Sequence, residues 1–504
     1  MMAATRMPNG LALGVLLDGL TSGVVPAACV ISGIALDSRK VQPGDLFLAL
    51  GGSRSHGSRF IDDAIAHGAV AVAIDAHDAI ADSAILTVPL VTVNNLRINT
   101  GVIADRFYAQ PSAAMWVIGV TGTNGKTSVS QFIAQVLNED APCAVIGTLG
   151  SGLFGVLCST GHTTPDVISM HAQLAAQCAA GARYVAMEVS SHGLDQQRVS
   201  GVAFDVAVFT NLSHEHLDYH GDMSSYALAK RRLLQQPGLC HAVLNLDDEV
   251  GARWFAEHAE QAVHFVGYGF DVATTTGGDI VRGSNLQLTP AGVAFDVSTP
   301  WGDGHIDSQL LGHFNASNLL AALGALLATG VTMETALQRL AGVNTVPGRM
   351  ERFGTVQQPT VVVDYAHTPD ALEKVLQALR AHCHGDLWCV FGCGGDRDRA
   401  KRPLMGQLAE SLADRVVLTD DNPRSENPWD IIEDIQRGMK EPDAAYVMRD
   451  RGAAIAHAVG QAQAGDVVLV AGKGHETEQI VADRVLPFSD RAEVARLLGG
   501  RLDG

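Results

Sequence analysis

The sequence is short of basic residues, of paired cysteines and of long apolar runs, and each shortage closes off a class of function. Lysine and arginine number 35 against 54 aspartates and glutamates, a net charge of −19. Such a surface repels a phosphate backbone, so nucleic acid is excluded as a principal partner, while a local basic pocket for a small anion stays open. The eight cysteines are scattered. Cys383, Cys389 and Cys393 lie nearest one another, but without paired C-x-x-C spacing they read as reduced packing residues rather than zinc ligands. No run approaches the roughly 18 uninterrupted apolar residues of a membrane helix, and residues 1–10 lack a basic segment feeding a secretory apolar core. A cytoplasmic protein without stable membrane insertion is expected. Disorder is not, because 47% of residues are hydrophobic and 18% charged. At roughly 150 residues per core, 504 residues suggest two to four domains. Nothing in the sequence sets an oligomeric state.

What is present is α/β patterning throughout. Strand-like runs at 34–36, 46–50 and 70–74 surround a helical 60–66. A helical stretch follows Asn94 and stops before Gln110-Pro111, and residues 116–121 read as a buried strand entering a glycine-rich loop. Residues 184–189 and 206–211 are strand-like and end in polar residues, 267–301 reads as antiparallel strands, and 315–330 as one apolar helix stopped by glycine. From Thr360 the chain repeats strand, loop and helix, with strands at 361–364, 387–393, 415–420 and 467–471. Thr368-Pro369 supplies an N-cap and first-turn proline for a helix whose stripe is Leu372, Val375, Leu376 and Leu379. A parallel, helix-covered sheet follows, with ligands expected outside the carboxyl ends of its strands. The expected boundaries are 1–94, 95–346 and 347–504.

The strongest local signal is Gly119-Val120-Thr121-Gly122-Thr123-Asn124-Gly125-Lys126-Thr127-Ser128, between a strand and an amphipathic segment. Backbone N–H groups of Gly122, Thr123, Asn124, Gly125 and Ser128 suit phosphate oxygens, Lys126 neutralises them, and the Thr127 hydroxyl suits Mg²⁺. Strict Walker spacing would place glycine where Val120 stands. Glu188 and His216 follow later strands and are candidate Mg²⁺ ligands. His214 and His220 read equally well as ligands or as solvent-facing loop residues.

Taken together, this loop, residues 188–198 and 216–230, Gly312-His313-Phe314-Asn315-Ala316-Ser317-Asn318, Pro347-Gly348-Arg349-Met350-Glu351, Asp364-Tyr365-Ala366-His367-Thr368-Pro369 and Gly472-Lys473-Gly474-His475-Glu476 resemble the Mur ligase family along the whole chain. The resemblance implies a small N-terminal α/β domain, a central P-loop ATPase-like domain and a C-terminal Rossmann-like domain. It also implies an ATP-driven, amide-forming ligase of peptidoglycan precursor synthesis. A carboxylate takes the γ-phosphoryl group of ATP, and an amine then displaces phosphate from the acyl phosphate. By the same resemblance, Lys126 and Lys230 are catalytic, and Lys230 is carbamylated so that it can help hold Mg²⁺. From composition alone, Lys230 beside Arg231 and Arg232 reads as a surface lysine. Asn315, Asn318, Arg349 and Asp364 fall at ATP-contact positions, although for the two asparagines helix capping competes.

The resemblance further implies two specificity ends. For UDP-N-acetylmuramoyl-L-alanyl-D-glutamate it points to Leu36, Ser38, Ser53, Arg54, Ser55, Thr163, Thr164, Ser190, Gln196 and Arg198; the 53–55 loop reads equally as an ordinary turn. His162 stands where some relatives have asparagine. For meso-diaminopimelate it points to Arg397, Asp421, Asn422, Pro423, Arg424, Gly472 and Glu476, with an arginine for the far carboxylate and Glu476 for the ammonium. Arg424 is the residue that separates this amine from lysine; its bland alternative is a solvent-exposed charge in a turn. The rival readings are a lysine-adding member, a folylpolyglutamate synthase-like ligase, and a non-enzymatic nucleotide-responsive binding protein.

Overall fold

The computed structural model describes residues 10–21, 23, 25–26, 28–51, 56–78, 86–257, 263–272, 278–289, 291–355 and 357–499. Ser53, Arg54 and Ser55 lie outside the described residues. The chain divides into two compact units, Met1–Arg282 with Leu320–Ala336, and Gly283–Leu319 with Leu337–Gly504.

In the first unit, Gly33–Ala35, Asp45–Leu48, Ala69–Asp75 and Leu90–Val93 form a parallel sheet in chain order. A larger sheet follows, ordered Val156–Cys158, Gly150–Leu153, Cys143–Gly147, Tyr184–Glu188, Trp116–Thr121, Val206–Phe209, His241–Asn245, His264–Gly269 and Asp279–Thr289. From Cys143–Gly147 onward the pairings within the unit are parallel. Tyr184–Glu188, Trp116–Thr121 and Val206–Phe209 are buried along nearly their whole length, as apolar parallel strands covered by helices must be. Helix Lys126–Asn138 buries Val129, Phe132, Ile133, Val136 and Leu137 and packs on Tyr184–Glu188, Cys143–Gly147 and Trp116–Thr121. The antiparallel expectation for 267–301 is corrected at its start. His264–Gly269 pairs in parallel with both neighbours; Gly292–Thr299 with Gly302–Ser308 forms an antiparallel pair of the expected kind. Alternation of apolar residues reports which face is buried and not strand direction, which is why it misled.

The sheet of the second unit runs Glu351–Phe353, Thr360–Asp364, Val467–Ala471, Leu387–Phe391, Arg415–Leu418 and Tyr446–Val447, all parallel after the first pairing. Helix Pro369–Arg380 buries the expected Leu372, Val375, Leu376 and Leu379, with Thr368 capping Ala371 N–H. Val467–Ala471, Leu387–Phe391 and Arg415–Leu418 are adjacent, so the loops leaving their carboxyl ends converge. Cys383, Cys389 and Cys393 are free thiols, the last two buried. Among the described residues no helix is long and apolar enough to cross a membrane.

Candidate active site

Strand Trp116–Thr121 delivers the chain into residues 122–125, and Gly125, at φ 84°, opens helix Lys126–Asn138. That left-handed backbone is costly for any residue with a Cβ. Lys126 Nζ donates to the carbonyls of Gly122 at 2.9 Å and Thr123 at 2.8 Å. Lys230, from helix Met223–Arg231, donates to the same Gly122 carbonyl at 2.6 Å. Two lysine side chains therefore share one oxygen. Lys230 is only 1% exposed, and this burial, followed by the charge of Lys126, holds its amine well below the usual lysine range. Its Nζ also sits 4.5 Å from the Tyr226 ring centroid.

Glu188 ends its strand with a buried carboxylate that accepts from Thr127 Oγ1 at 2.9 Å, Thr148 Oγ1 at 3.1 Å and Thr148 N–H at 2.8 Å. Gly147 allows this approach, since a Cβ there would lie 2.3 Å from Glu188 Oε1. Among the described residues no three His, Cys, Asp or Glu side chains gather into a metal cluster. The Thr127–Glu188 pair instead offers two hard oxygen donors, and Mg²⁺ is commonly held by one or two carboxylates plus substrate phosphates and water. The residues fit that ion. His216 lies in the same neighbourhood through rings, 4.9 Å from His192 and 6.1 Å from Tyr226. His214 is exposed, and His220 Nε2 contacts Ser191 Oγ at 3.0 Å.

Of the residues expected to meet the UDP substrate, Thr163 Oγ1 lies 3.1 Å from Thr148 Oγ1 and so one hydroxyl away from Glu188. Thr164 Oγ1 donates to the Glu188 carbonyl and accepts from Ser190 N–H. Ser190 in turn caps helix Ser191–Asp195. Arg198 donates to the Thr164 carbonyl at 2.8 Å and twice to Gln196 Oε1. Leu36 and Ser38 stand beyond the first strand of the N-terminal sheet, half-buried and buried respectively.

In the second unit, Asn315 and Asn318 share a face of helix His313–Ala328, with Asn318 Nδ2 donating to Asn315 Oδ1 at 3.2 Å. Asn315 also donates to the Leu311 carbonyl. Arg349 lies over the Tyr365 ring. Asp364, pushed upward in pKa by burial, accepts from the N–H groups of Met350 and Ala366.

The three convergent loops carry the remaining expected residues. Arg424 adopts φ 51°, donates through Nη1 to the Gly395 carbonyl at 2.8 Å, and ties its backbone to Ile480 and Ala482. It is therefore a fixed residue rather than a loose turn charge. Glu476 Oε2 accepts from Asn422 Nδ2 at 3.0 Å and from the fully buried Lys473 Nζ at 2.9 Å. Lys473 also donates to Asn422 Oδ1. Asp421 is buried beside Gly472, and desolvation raises its pKa. Pro423 is buried, and Arg397 is exposed on the neighbouring loop.

The chain matches the Mur ligase family, catalytic domain, over residues 30–108; the Mur ligase middle domain over 120–326; and the Mur ligase, glutamate ligase domain, over 348–474. The chain belongs to the Mur ligase family. This Mur ligase is 49% identical over 492 residues to a protein of Coxiella burnetii, covering 97% of this chain and 100% of the relative. It is 52% identical over 477 residues to a protein of Alkalilimnicola ehrlichii, covering 93% and 95%. Both relatives are named UDP-N-acetylmuramoyl-L-alanyl-D-glutamate–2,6-diaminopimelate ligase. A solved structure of that name superposes with a TM-score of 0.75 at 36% identity, covering 97% of this chain and 99% of the other.

Sequence reasoning about this Mur ligase missed Thr148, which holds Glu188, and assigned no role to Lys473. Thr148 follows a strand directly, the position from which other site residues were chosen. Lys473 stood inside a motif already singled out. Three ion pairs made by two buried arginines behind the loops were also missed: Arg402 with Glu426 and with Asp434, and Arg451 with Asp490.

Proposed function

We propose that this Mur ligase adds meso-diaminopimelate to the D-glutamate of UDP-N-acetylmuramoyl-L-alanyl-D-glutamate at the expense of ATP. The observation that carries the amine's identity is the anchored Arg424 at the strand ends where Asn422, Lys473 and Glu476 meet. A guanidinium and a carboxylate within one loop cluster match an amino acid bearing a further carboxylate and ammonium. The names of relatives near 50% identity agree with this.

The D-glutamate carboxylate oxygen attacks the γ-phosphorus and ADP leaves. The amine nitrogen then attacks the acyl carbon, orthophosphate departs, and the nitrogen gives up a proton as the amide forms. Lys126 neutralises phosphate oxygens at the loop, and Gly122, Thr123, Asn124, Gly125, Thr127 and Ser128 shape it. Bound Mg²⁺ supplies charge neutralisation on the transferring phosphoryl group; Thr127, Glu188, His216 and carbamylated Lys230 are the residues to hold it. The depressed basicity of Lys230 supports carbamylation, because only a neutral amine adds carbon dioxide. Residues 1–94 are assigned to the UDP substrate, 95–346 to ATP and 347–504 to the amino acid, with the reaction in the cytoplasm.

The test is incubation with ATP, Mg²⁺, the UDP-dipeptide and either diaminopimelate or lysine. One orthophosphate per amide is expected, with diaminopimelate strongly preferred and carboxylate ¹⁸O appearing in orthophosphate. ATP hydrolysis without mass gain of the UDP substrate would defeat the reading. Intact mass with and without carbon dioxide, compared with Lys230→Ala, checks the carbamate.

A further inference from the structure

Beside the substrate arginine lies a chain of side chains that the reaction as described does not use. Asp195 ends the short helix Ser191–Asp195, and Tyr219 lies on the helix Leu217–His220. The Tyr219 hydroxyl donates to Asp195 Oδ2 at 2.9 Å and accepts from Gln196 Nε2 at 3.1 Å. Gln196 Oε1 receives Arg198 Nε at 3.0 Å and Nη2 at 2.7 Å. The donor inventory fixes every direction in this chain. A carboxylate only accepts, so the one phenol proton points to Asp195 and the phenol oxygen is left to accept from the amide. A guanidinium only donates, so the amide oxygen must face Arg198. Both ends thus demand the same orientation of the Gln196 amide.

Asp195 is fixed in turn by Arg232, whose Nη1 lies 3.0 Å from Asp195 Oδ1, and Tyr219 by the His192 ring at 4.2 Å. Burial, reinforced by the Asp195 carboxylate, pushes the phenol above its usual pKa, so it stays a donor. Arg198 spends three N–H groups on Gln196 and the Thr164 carbonyl. Of its five, one on each terminal nitrogen remains, enough for a forked bond to an oxyanion.

We infer that Tyr219, braced by Asp195, is a positioning residue for the UDP-linked substrate: it locks the Gln196 amide, which presents the Arg198 guanidinium to an anionic group of that substrate. This rests on the placement of Gln196 and Arg198 in the substrate site.

Steady-state kinetics of Tyr219→Phe test it, because the variant removes one hydroxyl from a side chain that is 42% exposed and leaves the ring in place. The expected result is a KM for the UDP-dipeptide raised about tenfold, as for a lost hydrogen bond that orients a charged group, with kcat and the KM values for ATP and diaminopimelate within about twofold. Adding Tyr219→Phe to Gln196→Ala is expected to cost nothing further, since both act through one relay. An unchanged UDP-dipeptide KM in Tyr219→Phe, while Arg198→Lys raises it, overturns the relay. Equal changes in all KM values, or full additivity with Gln196→Ala, overturn it as well. No effect of Arg198→Lys on that KM instead removes Arg198 from the substrate site.

Discussion

At the phosphate loop, Lys126 and Lys230 both donate to the Gly122 carbonyl, whereas at the strand ends of the second unit Lys473, Arg402 and Arg451 each meet a carboxylate. A carbonyl is neutral and leaves the positive charge of its donor available to an arriving anion. A carboxylate cancels it. The first arrangement brings two lysines to the backbone of the phosphate loop, where burial, followed by the charge of Lys126, depresses the basicity of Lys230. The second builds a rigid, charge-balanced frame on which Arg424 is displayed. The phosphate loop thus gathers lysines on a backbone carbonyl, whereas the strand ends of the second unit rest on ion pairs.

Lys126→Ala tests the first half and carries the largest expected effect: ATP-dependent amide formation falls by about 10²–10³ in kcat, the usual cost of one preorganised charge on a transition state, with thermal stability retained. A fall below tenfold would break the contrast. For the second half, Arg402→Met removes the buried guanidinium that joins Glu426 and Asp434 and leaves each carboxylate only an exposed arginine, Arg399 and Arg437 respectively, and urea unfolding should register a loss of about 2–3 kcal/mol, at or below the low end for a broken buried pair. A loss under about 1 kcal/mol would show that this pair is not part of the frame. Arg424→Ala should raise the KM for diaminopimelate by about 10–100-fold, equivalent to about 1.5–3 kcal/mol for a hydrogen bond to a charged group, and leave the KM for ATP alone. Parallel assays with lysine should show the preference shrinking. Acid sharpens the comparison most gently. The Arg402 guanidinium holds the Glu426 carboxyl at about 2, below its ordinary 4.5. A depressed folded-state pKa contributes stability in full above the unfolded value, lost as pH falls from about 4.5 through about 2. Stability measured across that window should fall in the native protein and fall less in Arg402→Met.

Where chemistry is local, the sequence was readable. Residues 119–128 encode strand, left-handed glycine and helix start within ten positions, and the helix at Thr368-Pro369 announces itself by cap and stripe. Arg424 was legible through its loop neighbours, yet the Gly395 carbonyl that fixes it belongs to a loop 29 residues away. Lys230 is the sharpest divergence: followed by two arginines it resembles a surface residue, and only folding brings it, 108 residues from Gly122 in sequence, within hydrogen-bond reach of that residue in space. The direction of the strand at His264–Gly269 was illegible because a half-buried strand alternates identically in either sense.

The amino-acid order by itself determined the strand–loop–helix units, the phosphate loop and the strand-end positions from which site residues are drawn, because each depends on residues within a turn or two of one another. Tertiary structure alone decided the partners: Thr148 on Glu188, Lys473 on Asn422, Tyr219 on Gln196 and Lys230 on Gly122. Hydrogen bonding and desolvation act over a few ångströms, and which distant groups come that close is settled by the packing of whole sheets and helices.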